Sequence, residues 1–419
     1  MNTNKLINWF QQFGIIFLLL VSAYAESQNV TQFRGNDRNG KYKETNLMTS
    51  WPATGPKLLW ENDAVGNGYG SPVISNDIVY INGEVDSVGY LFAIDKTGKL
   101  LWKSAYGNEW VKSYPGSRSA PTIIGDLIYV TSGLGRLNCL NLKDGSRKWK
   151  VEMIQDLHGR YALFGHAESP LVYDDKVILI PGGRDTNVVA LNRFTGKIEW
   201  ISKGKGDVPG YNSPILIQVA GKRIIVTFTA YHMLGLDANS GELLWSHEQL
   251  NVPVAERQPG YGDTHSNSVF YEEGYIYYVA GDGNGAVKLK LSADGSRIEQ
   301  VWRNPLIDDY MGGFIKIGDK IYTGKDSRKN LVCINAQTGI EQDSLKIGCG
   351  ATILADNLLY YYNQRGEMNL VKPGEKMEKI SSFKVSQGTK EHFCIPVIAN
   401  GILYIRHGRS LMAYDIKNQ

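Results

Sequence analysis

One unit recurs along almost the whole chain: an apolar run opened by Ser-Pro or a relative, a second run ending in Tyr, a small-residue strand, then Asp/Asn-x-x-Thr/Ser-Gly and a Trp. SPVISNDIVYI, LFAID, KTG and LLW carry it from Ser71 to Trp102, and SAPTIIGDLIYV, LNCLN, KDG and RKW from Ser119 to Trp149. Later copies begin at Ser169, Ser213, Ser268, Gly313, Ala351 and Ile395. Units of roughly 40–50 residues, repeated about eight times, have the period of propeller blades.

Inside each copy the apolar residues alternate or run continuously for short stretches broken by Gly, Asn, Asp and Lys, with no sustained helical period after the first 30 residues. Each copy therefore reads as four short antiparallel strands, and the fold as an all-β, eight-bladed β-propeller. The turn Asp95-Lys96-Thr97-Gly98 and its echoes place an Asx residue first and Gly last, where positive φ is needed. Trp102, Trp149, Trp200 and Trp245 follow that Gly by a fixed step, so their rings are expected to pack between neighbouring sheets. The last copy ends after its third strand, while an orphan LLW stands at Leu58 to Trp60. An N-terminal strand is thus expected to complete the last blade and close the ring.

Residues 1–25 are of another kind. Lys5 precedes an apolar run from Phe13 to Val21, and Ala23-Tyr24-Ala25 supplies small residues for cleavage, the pattern of a secretory signal. The run is shorter than the roughly 20 residues of a spanning helix, so no retained membrane anchor is expected. Residues 26–419 read as a single propeller domain, periplasmic or secreted. A formal charge of +3, spread without a Lys/Arg stripe, gives no support for nucleic-acid binding. Of four cysteines, Cys139 and Cys333 occupy a third-strand place held elsewhere by Ala and read as buried. Cys349 and Cys394 lie in adjacent copies, where a disulfide is conceivable. No zinc-type spacing occurs.

Aligning the copies places Gly68, His166, His265, Tyr310 and His392 at one repeat position. Two residues later stand Gly70, Ser119, Glu168, Asn212, Asn267, Gly312, Gly350 and Cys394, just ahead of each inner strand. These loops are expected to converge on the axial channel. The candidate ligand-binding residues at its mouth are Arg118, His166, Glu168, Tyr211, Asn212, His265, Asn267 and His392, with no catalytic residue and no metal ligand assigned. Tyr69, Tyr114, Tyr161, Tyr261 and Trp110 lie further along the same loops, and the connection from Ser246 to Thr264 is placed to overhang the mouth as a lid. The plainer alternative is that polar channel loops simply satisfy backbone groups.

The segments LFAIDKTGKLLW, VVALNRFTGKIEW and LGLDANSGELLW resemble the pyrroloquinoline-quinone-like β-propeller repeat family over nearly all of the chain beyond the signal. That family holds eight-bladed quinoprotein alcohol dehydrogenases and also cofactor-free propellers such as the scaffold of outer-membrane β-barrel assembly. For the dehydrogenases the resemblance implies pyrroloquinoline quinone with calcium. Glu168, Asn212 and Asn267 would imitate the calcium ligands, Asp263 the base and Arg118 a carboxylate partner. The adjacent-Cys pair and channel-floor Trp of those enzymes have no counterpart here. The expected function is an exported propeller that binds a small polar ligand or an envelope protein at its axial face, without a cofactor. A quinone-dependent alcohol or sugar dehydrogenase is the alternative, and a saccharide-binding or polysaccharide-processing accessory protein a third.

Overall fold

The computed structural model describes residues 29–257 and 265–418, so residues 1–25, expected from the sequence to be an export signal, lie outside the described residues. Eight sheets account for the described strands; six are built only from consecutive antiparallel strands, and two take in a strand from the N-terminal segment. They form blades one to eight at residues 73–108, 122–152, 171–202, 215–248, 270–304, 314–345, 350–384 and 397–415. The eighth holds three C-terminal strands, and β2 (Lys57–Asn62) supplies its outer one by pairing antiparallel to Ser410–Asp415, with Trp60 opposite Ala413. Closure by an N-terminal strand is therefore how the ring is completed. Two single-turn 3₁₀ helices are the only helical elements among the described residues, and no helix there is long and apolar enough to cross a membrane.

The apolar runs are continuous because the second and third strands of each blade bury both faces, while the outer strands stay largely exposed. In blade two, Ile128 and Val130 pack against blade one. Tyr129 between them faces blade three. The core is thus a series of layers between sheets, and the period-two geometry of a strand feeds both of its neighbours.

Across those layers Trp60, Trp149, Trp200 and Trp302 reach the next blade's turn. Trp60 Nε1 donates to Lys96 O at 2.9 Å, Trp149 to Arg193 O at 3.0 Å and Trp302 to Ala336 O at 3.1 Å. The ring lies on the turn glycine itself: a Cβ on Gly98, at φ +88°, would meet Trp60 at 2.9 Å, and one on Gly241 would meet Trp200 at 2.4 Å. Small third-strand residues have the same cause. Ala93, Cys139, Ala190 and Gly235 stand opposite Trp102, Trp149, Trp200 and Trp245, and a larger side chain would displace the indole. Cys139 and Cys333 are accordingly buried at this position. Blade seven substitutes Phe383, whose ring covers Gly55.

Residues 29–42 carry no copy of the repeat, yet they are part of the architecture. They run across the inner strands as a plug. Val30 bridges Ile74 of blade one, Ile123 N of blade two donates to Thr31 O, and β1 (Lys41–Tyr42) adds a parallel strand to blade seven. Two buried guanidiniums fasten it: Arg34 donates to Phe314 O at 2.8 Å and Thr352 O at 3.4 Å, and Arg38 to Ser169 O at 2.9 Å and Pro170 O at 3.1 Å. Burial lowers their pKa values to about 10 and about 9, leaving both cationic at neutral pH. Carbonyl dipoles take the place of carboxylates in offsetting this charge.

Candidate functional site: an aromatic cup on the axis

Above the plug the channel widens into a cavity of about 750 Å³. Phe33 of the plug forms part of its lining, so the N-terminal segment contributes to the floor. The wall is set by the loops that lead into the inner strands. Each loop carries a triplet of residues just ahead of its inner strand, and Tyr211 in one of them takes a left-handed backbone, at φ +68°. The middle residue of the three faces the cavity in seven of the eight blades: Tyr69, Arg118, Ala167, Tyr211, Ser266, Met311 and Phe393.

Of the eight candidates from the sequence, Arg118 and Tyr211 line this cavity, and the other six are absent from its wall. Five are buried in the ring of hydrogen bonds beneath it. His166 Nδ1 lies 3.1 Å from Glu168 Oε1, and Glu168 Oε2 accepts from Ala167 N. Asn212 Nδ2 donates to Asn267 O of the next blade at 2.8 Å, and Asn267 Nδ2 continues to Asp309 O at 2.9 Å. Ser169 N donates to Ser213 Oγ, so the Ser of the Ser-Pro opening is also an inter-blade staple. His265 stacks on Phe228 at 4.6 Å, holds Ala230 O at 3.1 Å through Nε2, and has its pKa lowered to about 4 by burial. His392 stacks on His407 at 3.7 Å between ring centroids and bonds the Tyr362 hydroxyl; burial, then the neighbouring His407, lowers its pKa to about 4. The shared register of the histidines therefore does not bring them together as a cluster. Among the described residues, no group of three or more His, Cys, Asp or Glu side chains is placed to hold a metal ion.

The calcium set implied by the resemblance does not converge either. Asn267 Oδ1 accepts from Gly313 N at 2.7 Å, Asn212 Oδ1 faces Phe228 N and Thr227 Oγ1, and both Glu168 oxygens are engaged as above. Asp263, Tyr261 and the Gln258 to Thr264 part of the lid lie outside the described residues. The described part of that connection brings Asn251 and Val252 to the wall. Arg257 lies over the Tyr231 ring at 4.4 Å, and its Nη1 bonds Glu248 at 2.8 Å. The conceivable disulfide is absent, since all four cysteines are free. Cys349 Sγ turns toward Asp309 of blade six and Cys394 Sγ toward Gly70 of blade one, opposite ways round the ring.

The wall also holds residues outside the set that sequence chemistry points to. Phe164, Tyr231, Asp282, Tyr310 and Phe393 all face the cavity. Tyr69, Phe393, Tyr114, Phe164 and Tyr211 form a continuous arc with successive ring centroids 5.7, 5.9, 6.1 and 6.0 Å apart. Arg118 stands in this arc with Nη1 on Gly116 O at 2.7 Å and Nη2 on Ser113 O at 2.6 Å. For Tyr69 and Phe393 the signal is the repeat frame, which sets each one step before the polar position of its loop; Tyr310 shares the histidines' repeat position, and Phe164, Tyr231 and Asp282 carry no mark in the frame.

Beneath the wall, Asp309 is buried, accepts from Gly312 N at 3.3 Å and Thr323 Oγ1 at 3.2 Å, and has its pKa raised to about 6 by desolvation. The folded chain holds this proton to higher pH than the unfolded chain does. Its contribution to stability therefore falls as pH rises from about 4 to about 6, by about 2–3 kcal/mol. Urea unfolding across that range is expected to show the decline in the native sequence and a flatter profile in Asp309→Asn.

The family model described as outer membrane protein assembly factor BamB matches residues 87–342, more than half of the chain. The chain belongs to this family. It is 24% identical over 249 residues to the outer membrane protein assembly factor BamB of Moranella endobia, covering 55% of this chain and 58% of that protein. It is also 24% identical over 213 residues to a quinoprotein ethanol dehydrogenase of Pseudomonas aeruginosa, covering 50% of this chain and 26% of the enzyme. The chain thus spans little more than half of one relative and about a quarter of the other. Among solved structures, BamB from Moraxella catarrhalis superposes with a TM-score of 0.61 at 12% identity, over 86% of this chain and 99% of that one. A europium-containing methanol dehydrogenase gives 0.54 at 14% identity, over 83% and 90%. At these identities the superpositions establish the shared propeller architecture.

Proposed function

We propose that this member of the BamB family is an exported binding propeller of the cell envelope whose working surface is the axial cup, where it holds a ligand or a projecting part of a partner protein. The observation that carries this reading is the cup's composition. An arc of five aromatic rings encloses a volume within the range of specific ligand sites, and a few polar groups stand among them. Leu163 of the wall is 50% exposed, so the apolar surface continues outward at the mouth. The reading needs no bond-making step. Rings supply contact area at low entropic cost, and Arg118 with its neighbours sets orientation.

A photo-crosslinking residue at Leu163, compared with one at Ile198 on an outer strand, tests it in the producing cell. Adducts at Leu163 that are lost when Tyr211 is changed to Ala are expected. Adducts confined to Ile198 would point to a scaffold that works through its outer surface.

The dehydrogenase reading is kept because of the similarity to quinoprotein ethanol dehydrogenase. Glu168, Asn212 and Asn267 spend their oxygens on the framework and do not make a calcium shell, so no step is assigned to them. Titration with pyrroloquinoline quinone and Ca²⁺ decides between the two. Tight uptake with alcohol oxidation that disappears in Glu168→Ala would make the enzyme reading the better one.

A further inference from the structure

We infer that the ligand of the axial cup is a short saccharide, an inference that rests on the cup being the working surface and names what it takes. The shape of the aromatic arc separates this class from a flat ligand. Successive ring planes are inclined by 40°, 57°, 64° and 47°, from Tyr69 through Phe393, Tyr114 and Phe164 to Tyr211. No two neighbouring rings of the arc are parallel, so it is a curved wall with no slot between facing planes. A planar polycyclic molecule gains most from such a slot, because its contact is face to face. A pyranose has no flat face of that kind. It presents patches of polarised C–H on both sides of a chair and hydroxyl groups around its edge, and a curved wall of tilted rings meets several of those patches at once.

The polar groups are distributed to suit that edge. Arg118 has Nη1 and Nη2 pinned to the carbonyls of Gly116, Ser113 and Tyr114, so the guanidinium is held rigidly within the aromatic wall. Its direct partners are thus backbone carbonyls, and the buried Glu109 carboxylate lies near enough to act on its charge. Ser266 and Asp282 line the cavity from blade five. A ligand resting its C–H patches on the arc would offer hydroxyls to both. A wall of this composition gains from a ligand that is apolar on its faces and polar at its rim; a purely aliphatic ligand would strip water from the polar groups and offer nothing in return. The cavity, at about 750 Å³, is large enough for on the order of two to four sugar rings.

The test is calorimetric titration of the exported chain with gluco-, xylo- and chito-oligosaccharides of two to four units and with oligo-uronates. Tyr114 is 47% exposed, so its substitution leaves the core intact. Binding of at least one oligosaccharide is expected, weakened tenfold or more in Tyr114→Ala, retained in Tyr114→Phe, with the melting temperature unchanged in both. Failure of every sugar to bind, or binding indifferent to Tyr114→Ala, would overturn the inference. Crosslinks at Leu163 that persist in that event would leave the cup as the working surface and reject only the saccharide. Their loss as well would reject the cup.

Discussion

Replacing Arg406 by Met is expected to destabilise the protein by on the order of 4 kcal/mol or more, at the upper end of what single substitutions do. Arg406 is fully buried in blade eight. Its guanidinium reaches Asn82 O at 2.7 Å, Gly66 O at 2.9 Å and Gly70 O at 3.3 Å in and ahead of blade one, and its Nε donates to Gly408 O at 2.8 Å. Methionine fills much of the volume but leaves several buried carbonyls without a donor, each costing about 1–3 kcal/mol. Lysine is expected to recover less than half of the loss, because one ammonium cannot span acceptors that a planar fork reaches together. The urea midpoint, read at unchanged slope, checks this. A shift below about 1 kcal/mol would show that the seam between the last and first blades does not depend on this residue.

Trp60→Ala is expected to cost about 3–5 kcal/mol, the range for truncating a buried aromatic. The ring covers Gly98 of blade one, its Nε1 holds Lys96 O, and it stands opposite Ala413 in the blade whose outer strand comes from the N-terminal segment and whose other three are C-terminal. Trp200→Ala removes the same kind of contact within the chain, where Trp200 Nε1 meets Ala238 O at 3.3 Å and the outer strand follows its partner directly in sequence. The two variants are therefore expected to differ in kinetics. Trp60→Ala accelerates unfolding more, since β2 and Ser410–Asp415 have no short connection to hold them together once the indole is gone. Equal unfolding rates would show that the closing blade opens no earlier than the others.

The blades are legible in the sequence because their determinants are local. A strand buried on both faces needs a continuous apolar run, and a hairpin that must turn under an indole needs Gly at positive φ. Both requirements fall within one repeat, as in LFAIDKTGKLLW. The cup is legible only as a region. The chemistry of His166, Glu168, Asn212, His265 and Asn267 marks them as site candidates, yet His166 and Glu168 bond within their own loop while Asn212, His265 and Asn267 hold backbone carbonyls of the neighbouring blade. Tyr69, Arg118, Tyr211 and Phe393, each the middle residue of its loop, face the cavity. Composition alone does not say which residue of a loop points inward, since that depends on how the loop crosses onto the neighbouring sheet.

The plug is the least legible part. Thr31 to Tyr42 lies outside the repeat, and Arg34 and Arg38 look like ordinary surface charge until their partners at Phe314, Thr352, Ser169 and Pro170 are known. The amino-acid order by itself determined the number of blades, their four-stranded make-up and the N-terminal closure, since a period and its turn residues are carried by adjacent positions. Only the tertiary structure decided what lines the axis, because that surface is assembled from single residues of seven blades and a plug, brought together by packing across hundreds of positions.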